Sequence, residues 1–366
     1  MCNLAERTET QKAVGKTRAG CYTSPMHERK SAAGRGFFPT EIIFAPTNSC
    51  NLRCAHCTVP KDAGRLDIGE AERFLRACAS GAEPESGGTA PKRLHIERVG
   101  FSGGEPFLYQ EFIERISAAA VEEGLLFGRI MTNGLWWQSK AELAARLEAV
   151  RDAGFDGRLG VSFDAFHGQN AGRTAAFCRT AIEVWNDAAA VEIQTAVPPG
   201  GRECALALLD GFAAELGCTV RGTLKRTQRR GALILEGGGA FLTAFLFPQS
   251  FRAQDREAWR ARKWFSEDFC EGPGQLLYVH PDGSVAPCCG FANGNAALKI
   301  GTIRQTPQEL LRAAAENPMV RRCYTDGLSA LRRKMKKGGV RFPGRTDDNC
   351  TFCDFACACT EQADAF

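Results

Sequence analysis

The sequence predicts an α/β protein in which strands alternate with helices over the first part of the chain and a cysteine-rich region follows. Two observations carry this. Between residues 42 and 224, a short apolar or alternating run is followed by a stretch with apolar residues at helical spacing, time after time. The 366 residues also include 17 cysteines, too many for inert core filling and too few for a small disulfide scaffold. Alternation of this kind builds parallel strands joined by right-handed crossovers. The units fall short of a closed (β/α) barrel, which needs eight over about 250 residues, so an incomplete barrel or an open sheet is expected.

The expected strands are Ile42–Ala45, Ile96–Phe101, Phe127–Met131, Leu159–Phe163, Val191–Val197 and Thr219–Leu224. The expected helices are Gly69–Ser80, Gln110–Glu123, Lys140–Ala153, Arg173–Asn186 and Arg202–Leu216, with Leu143, Leu147 and Val150 forming one apolar face. Residues 1–38 carry Lys12, Lys16, Arg18, Arg29, Lys30 and Arg35 with no apolar period and read as a flexible basic tail. A barrel domain is expected over 39–235. Residues 236–269, with Phe241, Leu242, Phe245, Leu246 and Phe247, read as a core-packing bridge to a cysteine-rich domain over 270–366.

Charge and targeting signals narrow the classes. The 46 basic and 42 acidic residues nearly balance at a formal +4, which argues against specific nucleic-acid binding. The N-terminus has no apolar signal core. The longest uncharged stretch, Gly237–Phe251, is shorter than the roughly 20 residues of a membrane helix and contains Pro248. No membrane association is expected, and a cytoplasmic location is. In a reducing compartment, clustered cysteines bind metal or do chemistry more often than they form disulfides.

The unusual residues fall after the strands, where α/β proteins bind ligands. Cys50, Cys54 and Cys57 follow the first strand, Gly103-Gly104-Glu105-Pro106 the second, Asn133-Gly134 the third, and Asp164 the fourth. Four thiolates saturate a zinc ion or a [4Fe–4S] cubane, whereas three leave one iron open to a further ligand. A zinc site completed by His56 or a distant cysteine is the competing reading. His56 lies between two of the cysteines, where a loop that lets both bind turns its ring away.

The Cys50-x3-Cys54-x2-Cys57 spacing, followed one unit later by Gly103-Gly104-Glu105-Pro106, resembles the signature of the radical S-adenosylmethionine (radical SAM) superfamily. The resemblance implies a partial (β/α)6 barrel with a small Cys-rich C-terminal auxiliary-cluster domain. It implies a [4Fe–4S] cluster on Cys50, Cys54 and Cys57 whose open iron is chelated by S-adenosyl-L-methionine. Gly103, Gly104, Glu105 and Pro106 would contact the cofactor's amino group. Asn133, Ser162 and Asp164 would bind its ribose and methionine groups, and the backbone at His56 would approach the adenine. Asn133-Gly134 is also simply a good turn pair.

Further along, Cys270-x12-Gly283-x4-Cys288 contains a Pro281-Asp282-Gly283 turn and reads as a hairpin. With Cys350 and Cys353 it provides four ligands, for a zinc ribbon or a cluster. The pattern is similar to the SPASM and twitch extensions of radical SAM enzymes, which implies at least one auxiliary [4Fe–4S] cluster. The chain departs from the full SPASM pattern by reading Cys350-x2-Cys353-x3-Cys357-x-Cys359 with no later cysteine, so Cys357 and Cys359 stand as ligand candidates beside the others. Cys289 is expected to be a buried thiol, with ligand or hydrogen donor as alternatives. Cys78, Cys178, Cys204 and Cys218 are expected as small buried residues.

The activity implied is an oxidoreductase or transferase type of radical chemistry on a peptide or protein side chain. The alternative is dehydrogenation or epimerisation of a sugar or cyclitol. Outside that family, an iron–sulfur electron carrier or a zinc-stabilised interaction protein would use the same cysteines. A flavodoxin or ferredoxin is the expected electron donor. The basic stretch at Arg321, Arg322, Arg332, Arg333, Lys334, Lys336, Lys337 and Arg341 reads as a solvated helix face, or else as a docking surface for that donor or for an acidic leader peptide.

Overall fold

The structure, a computed structural model, describes residues 36–80, 94–224, 230–266, 268–270 and 274–361. Residues 1–35, most of the expected basic tail, lie outside the described residues. From β1 (Glu41–Phe44) the chain runs through α1 (Ile68–Ala79), β2 (Arg98–Phe101), α2 (Gln110–Glu122), β3 (Leu126–Thr132), α3 (Lys140–Asp152), β4 (Arg158–Ser162), α4 (Ala171–Trp185), β5 (Val191–Val197) and α5 (Arg202–Leu216).

Helices α1, α3 and α4 begin where a side-chain oxygen satisfies a free backbone N–H. Asp67 accepts from the Glu70 N–H at 2.7 Å, Ser139 from Glu142 at 3.1 Å, and Asn170 from Arg173 at 3.0 Å. Helix α5 stops at Gly217, whose φ of 72° only glycine adopts without strain.

Strands β1 to β5 are parallel neighbours in that order. The sixth parallel strand is not the expected one. Thr219–Arg221 is a short edge strand, β6, antiparallel to β7 (Gly231–Gly237). Its three residues are exposed or half-buried, so it lacks an apolar face to bury between neighbours. The place beside β5 goes to β8 (Ala240–Pro248), which pairs with it in parallel from Glu192↔Thr243 to Val197↔Pro248. Leu242, Ala244 and Leu246, expected in a bridging segment, are at most 3% exposed because they form the helix-facing side of that strand.

The cysteine-rich region continues the same sheet. Strand β9 (Gly274–Val279) adds in parallel to the other side of β1, and β10 (Ser284–Cys288) and β11 (Gly301–Thr302) follow antiparallel. The β9–β10 hairpin closes at the expected turn, with Gly283 at φ 78°. Helices α6 (Pro307–Glu316) and α7 (Pro318–Arg321), a π-helical turn (Arg322–Asp326), α8 (Leu328–Lys337) and α9 (Asn349–Glu361) complete the chain. Among the described residues no helix is long and apolar enough to cross a membrane.

Ile42, Phe44, Val99, Phe101, Ile130, Val161 and Ile193 are at most 1% exposed, on the sheet face that the helices cover. The carboxyl ends of the parallel strands, with the loops after them, form the rim that carries the site.

If β8 is a central strand, truncating its buried side should be costly. Leu242→Ala is expected to lower unfolding stability by about 2–5 kcal/mol, while Phe241→Ala, at a 44% exposed position, changes it little. Urea unfolding of the two variants checks this.

Candidate functional site

The loop after β1 is held by the loop after β2 through backbone alone. The Gly104 N–H donates to the Thr47 carbonyl and the Glu105 N–H to the Ser49 carbonyl, each at 2.8 Å. A Cβ on Gly104 would lie 2.2 Å from the Ser49 oxygen, and one on Gly103, at φ 111°, 2.8 Å from the Thr47 oxygen. Only glycines permit this approach, and it fixes the chain immediately before Cys50.

The Glu105 side chain turns inward. It is fully buried and accepts hydrogen bonds from the Asn133 N–H at 2.7 Å, the Thr132 hydroxyl at 2.8 Å and the Phe107 N–H at 3.3 Å. Those donors are fixed at the end of β3 and the start of α2, and they draw the carboxylate inward. Burial pushes its pKa up to about 7, against the pull of the three donors. Glu105 therefore ties the second loop to the third, leaving the Gly103 and Gly104 backbone at the rim.

Asn133 ties the third loop back to the first. Its amide donates to Asn51 Oδ1 at 2.8 Å and approaches Cys50 Sγ at 3.7 Å, while the Asn51 amide donates to the Leu135 carbonyl at 3.2 Å. Gln169 Nε2 joins the fourth loop by donating to the carbonyls of Asn133 at 2.7 Å and Ser162 at 2.5 Å. Nothing in the spacing singled Gln169 out, because it acts through backbone carbonyls that carry no sequence signal.

Cys50, Cys54 and Cys57 are half-buried on this one loop. Burial raises the pKa of Cys50, and burial together with the neighbouring thiols raises that of Cys54 to about 11. The Lys61 ammonium lies 3.1 Å from Cys57 Sγ. The Nδ1 or Nε2 atoms of His56 and His167 and a carboxylate oxygen of Asp164 lie within 4.8 Å of one another beside this loop. Three half-buried thiols on one loop beside a glycine cradle fit a centre with a fourth ligand from outside the protein.

The His56 ring turns to the fourth loop, 4.6 Å from Phe166 and 5.1 Å from His167 between ring centres. Burial lowers its pKa, and its Nδ1 is buried without a hydrogen-bond partner among the described residues. Asp164 Oδ1 lies 2.8 Å from His167 Nδ1 and accepts the Phe166 N–H at 2.9 Å, so most of its capacity is spent within its own loop. Asp164 Oδ2 accepts from the Ala196 N–H at 3.3 Å. Ser162 is half-buried at the end of β4, and Pro106 is buried at the start of the turn that follows Glu105.

Between β3 and β5 the sheet face away from the helices carries polar side chains, whereas beside β1 and β9 it is apolar, with Ile43, Ala45, Leu276, Tyr278 and Ala286 packed together. Glu192 sits 3.4 Å from Arg129 and 3.7 Å from Arg158, and Gln194, 9% exposed, has an Nε2 without a partner among the described residues. Glu41 is pushed up by burial, with Arg98 and Arg129 opposing.

A second set of thiols lies beside the β9–β10 hairpin. Cys270, Cys288, Cys350 and Cys353 line one cavity, together with Cys323, which spacing alone did not select. Helix α9 carries Cys350, Cys353 and Cys357 at i, i+3 and i+7, on one face. Burial and the thiols of Cys270 and Cys353 hold Cys288 protonated, with its pKa raised well above the usual range. A hydrogen bond with Cys353, and burial, do the same for Cys357. Cys359 is about 200° further round that helix from Cys357 and does not line the cavity. Cys289 is exposed rather than buried, because it follows Cys288 at the strand's end and points the other way. Cys204 is likewise exposed on α5, whereas Cys78, Cys178 and Cys218 are buried in the core. On α8, Arg333, Lys334, Lys336 and Lys337 are exposed, while Arg322 is buried.

Residues 44–182 match the family model described as the Radical SAM superfamily. A probable GTP 3′,8-cyclase of Methanocella arvoryzae is 31% identical over 122 residues, covering 32% of each chain. The GTP 3′,8-cyclase of Mycolicibacterium smegmatis is 33% identical over 133 residues, 34% of this chain and 31% of that one. The chain thus spans about a third of the length of these curated relatives. Among solved structures, BtrN in complex with AdoMet and 2-DOIA aligns at TM-score 0.44 and 14% identity, covering 86% of this chain and 97% of BtrN. Streptococcus suis SuiB bound to precursor peptide SuiA aligns at TM-score 0.43 and 11% identity, covering 86% and 76%.

Gly104→Ala should therefore displace the cysteine loop. Iron bound at Cys50, Cys54 and Cys57 should fall sharply on reconstitution, while Gly211→Ala, in open space on α5, leaves it unchanged. Glu105 gives a pH signature. Folded, it holds its proton more tightly than its ordinary pKa of 4.5, so its contribution to stability is complete below about pH 4.5 and is lost as pH rises through about 7. Glu105→Gln should flatten the stability–pH curve across that window, measured by denaturant unfolding. An unchanged slope would mean a carboxylate ionised throughout.

Proposed function

We propose that this radical SAM enzyme reductively cleaves S-adenosyl-L-methionine at a [4Fe–4S] cluster on Cys50, Cys54 and Cys57 and abstracts hydrogen from a small polar substrate. The observation that supports it best is the junction of loops at the rim. The three-thiol loop, the Gly103-Gly104 backbone and Asn133 are fixed to one another within the matched segment. When bound and reduced, the cluster and its cofactor supply a 5′-deoxyadenosyl radical.

The chain's own residues bind and position. Gly103 and Gly104 bring backbone to the rim without side chains, Glu105 and Asn133 hold the loops in register, and Lys61 lies against a ligand sulfur. Hydrogen bonds and charges near ligand sulfurs tune a cluster's potential, so Lys61 is placed to do so. Ser162, Asp164 and the His56 backbone would meet the cofactor's ribose and adenine. The second thiol set would hold an auxiliary [4Fe–4S] cluster, and a flavodoxin- or ferredoxin-type donor would supply electrons.

A polar small molecule is favoured by the Gln194 amide, which has no partner among the described residues and lies level with Ser162 at the carboxyl end of β4. The matched relatives bear the name of an enzyme acting on a nucleotide, which has this chemistry. A peptide with an acidic leader is the second reading, supported by the exposed cationic residues of α8.

Cys54→Ala should abolish 5′-deoxyadenosine formation from S-adenosyl-L-methionine and dithionite on anaerobically reconstituted protein, while iron bound by the C-terminal cysteines persists. Liquid chromatography of the nucleoside, with iron counted on the same sample, checks this. Undiminished cleavage by Cys54→Ala would place the reaction elsewhere.

A further inference from the structure

We propose that Arg252 is a positioning residue that ties the first cysteine loop to the C-terminal thiol region, so that filling the auxiliary centre tightens cofactor binding at the first. This rests on the two-cluster reading above. Arg252 lies in the loop after β8, the sixth parallel strand, and so belongs to the same rim. Its two terminal nitrogens reach different segments. Nη2 donates to the Thr58 carbonyl at 3.0 Å, one residue past Cys57. Nη1 lies 3.6 Å from Asp354 Oδ1, one residue past Cys353. The guanidinium carbon is also 5.6 Å from the centre of the Phe291 ring, just beyond the strand end that carries Cys288.

The C-terminal side of this bridge is firmly anchored. Asp354 is 3% exposed, and a carboxylate buried that far needs a counter-charge and hydrogen bonds. The Ala253 N–H donates to its Oδ2 at 2.9 Å and the Asn295 amide to its Oδ1 at 3.0 Å, while Arg252 supplies the charge. The chain just before Arg252 is bonded to the start of α9 as well. The Thr351 hydroxyl donates to the Phe251 carbonyl at 2.8 Å, and the Ser250 hydroxyl to the Asp348 carboxylate at 2.6 Å. On the other side the Gln249 N–H donates to the Val197 carbonyl at 2.9 Å, so the segment is held to the sheet too.

Helix α9 carries Cys350, Cys353 and Cys357 on one face, so a centre bound there fixes the helix and Asp354 with it. Arg252 carries that order to Thr58, whose carbonyl directly follows a ligand of the first centre. With the auxiliary site empty, α9 loosens, and the cofactor must order the first loop itself, with a loss of affinity. A lysine at 252 keeps the charge opposite Asp354 but lacks the planar fork that meets two acceptors at once.

The test uses the full chain, reconstituted anaerobically, as wild type, Arg252→Lys, Cys270→Ser and the double variant. Iron should be about eight per chain in wild type and Arg252→Lys, and about four in the other two. One readout is hydrogen–deuterium exchange of residues 54–61. The other is the S-adenosyl-L-methionine concentration that half-shifts the EPR signal of the reduced first centre. Each single variant should raise both by about five- to tenfold, and the double variant by no more than either alone. Wild-type values in either single variant, or a double variant showing the product of the two effects, overturns the bridge. A purely structural arginine would act independently of the second site. An equal rise in exchange across α3 would mean general loosening and overturns it as well.

Should Arg252→Lys not fold, wild type against Cys270→Ser decides by the same two values. Iron unaffected by Cys270→Ser overturns the auxiliary-cluster reading itself, and a wild-type signal indifferent to the cofactor overturns the proposed function. Auxiliary iron lost with exchange and half-shift unchanged overturns only the bridge.

Discussion

The close approach of the Gly103–Glu105 backbone to Thr47, Asn48 and Ser49 is the constraint on which the rim depends. Two parallel strands bring these segments side by side, but only residues without a Cβ let them hydrogen-bond at 2.8 Å. From there the order propagates by side chains. Glu105 fixes the end of β3, Asn133 reaches back to Asn51 and Cys50, and Gln169 adds the loop after β4. Four loops that would otherwise move separately become one surface, which a cluster with an externally ligated iron requires.

The second constraint is the cost of crowding thiols. Cysteines packed in a closed cavity resist ionisation, since each thiolate would face burial and its neighbours' charge. A metal centre reverses this, because coordination holds the thiol deprotonated. With the proposed auxiliary centre bound there, metal binding and formation of the C-terminal region would be coupled. The two thiol sets differ accordingly, with the half-buried one on an open rim and the other enclosed.

Much of this was legible in the sequence. Strand β5 and helix α5 fall on the expected residues, and the other parallel strands up to β4 within two, because their helix-facing positions are apolar and helices α1, α3 and α4 carry Asp, Ser or Asn caps. The sixth strand was missed because Thr219–Leu224 has strand-like composition but too little apolar surface to lie between two neighbours. The alternation in Ala240–Pro248 was masked by Phe241, Phe245 and Phe247 on the face away from the helices, opposite Leu242, Ala244 and Leu246. At the site, residue types and spacing revealed the ligands and the glycines. They could not show which way Glu105 turns, since that depends on donors from β3 almost thirty residues later. Cys323 stands alone in the sequence, with no partner cysteine at ligand spacing, and only the folding of three distant segments onto one cavity brings it forward.

The central claim is that the Cys50, Cys54 and Cys57 centre keeps one position open for S-adenosyl-L-methionine. The direct measurement is EPR of the dithionite-reduced, reconstituted protein before and after adding the cofactor, with Cys270→Ser used to simplify the spectrum. The account expects a [4Fe–4S] signal whose g-values shift on addition, as an externally ligated iron requires. A signal indifferent to the cofactor, or zinc in place of iron on those three cysteines, would contradict it.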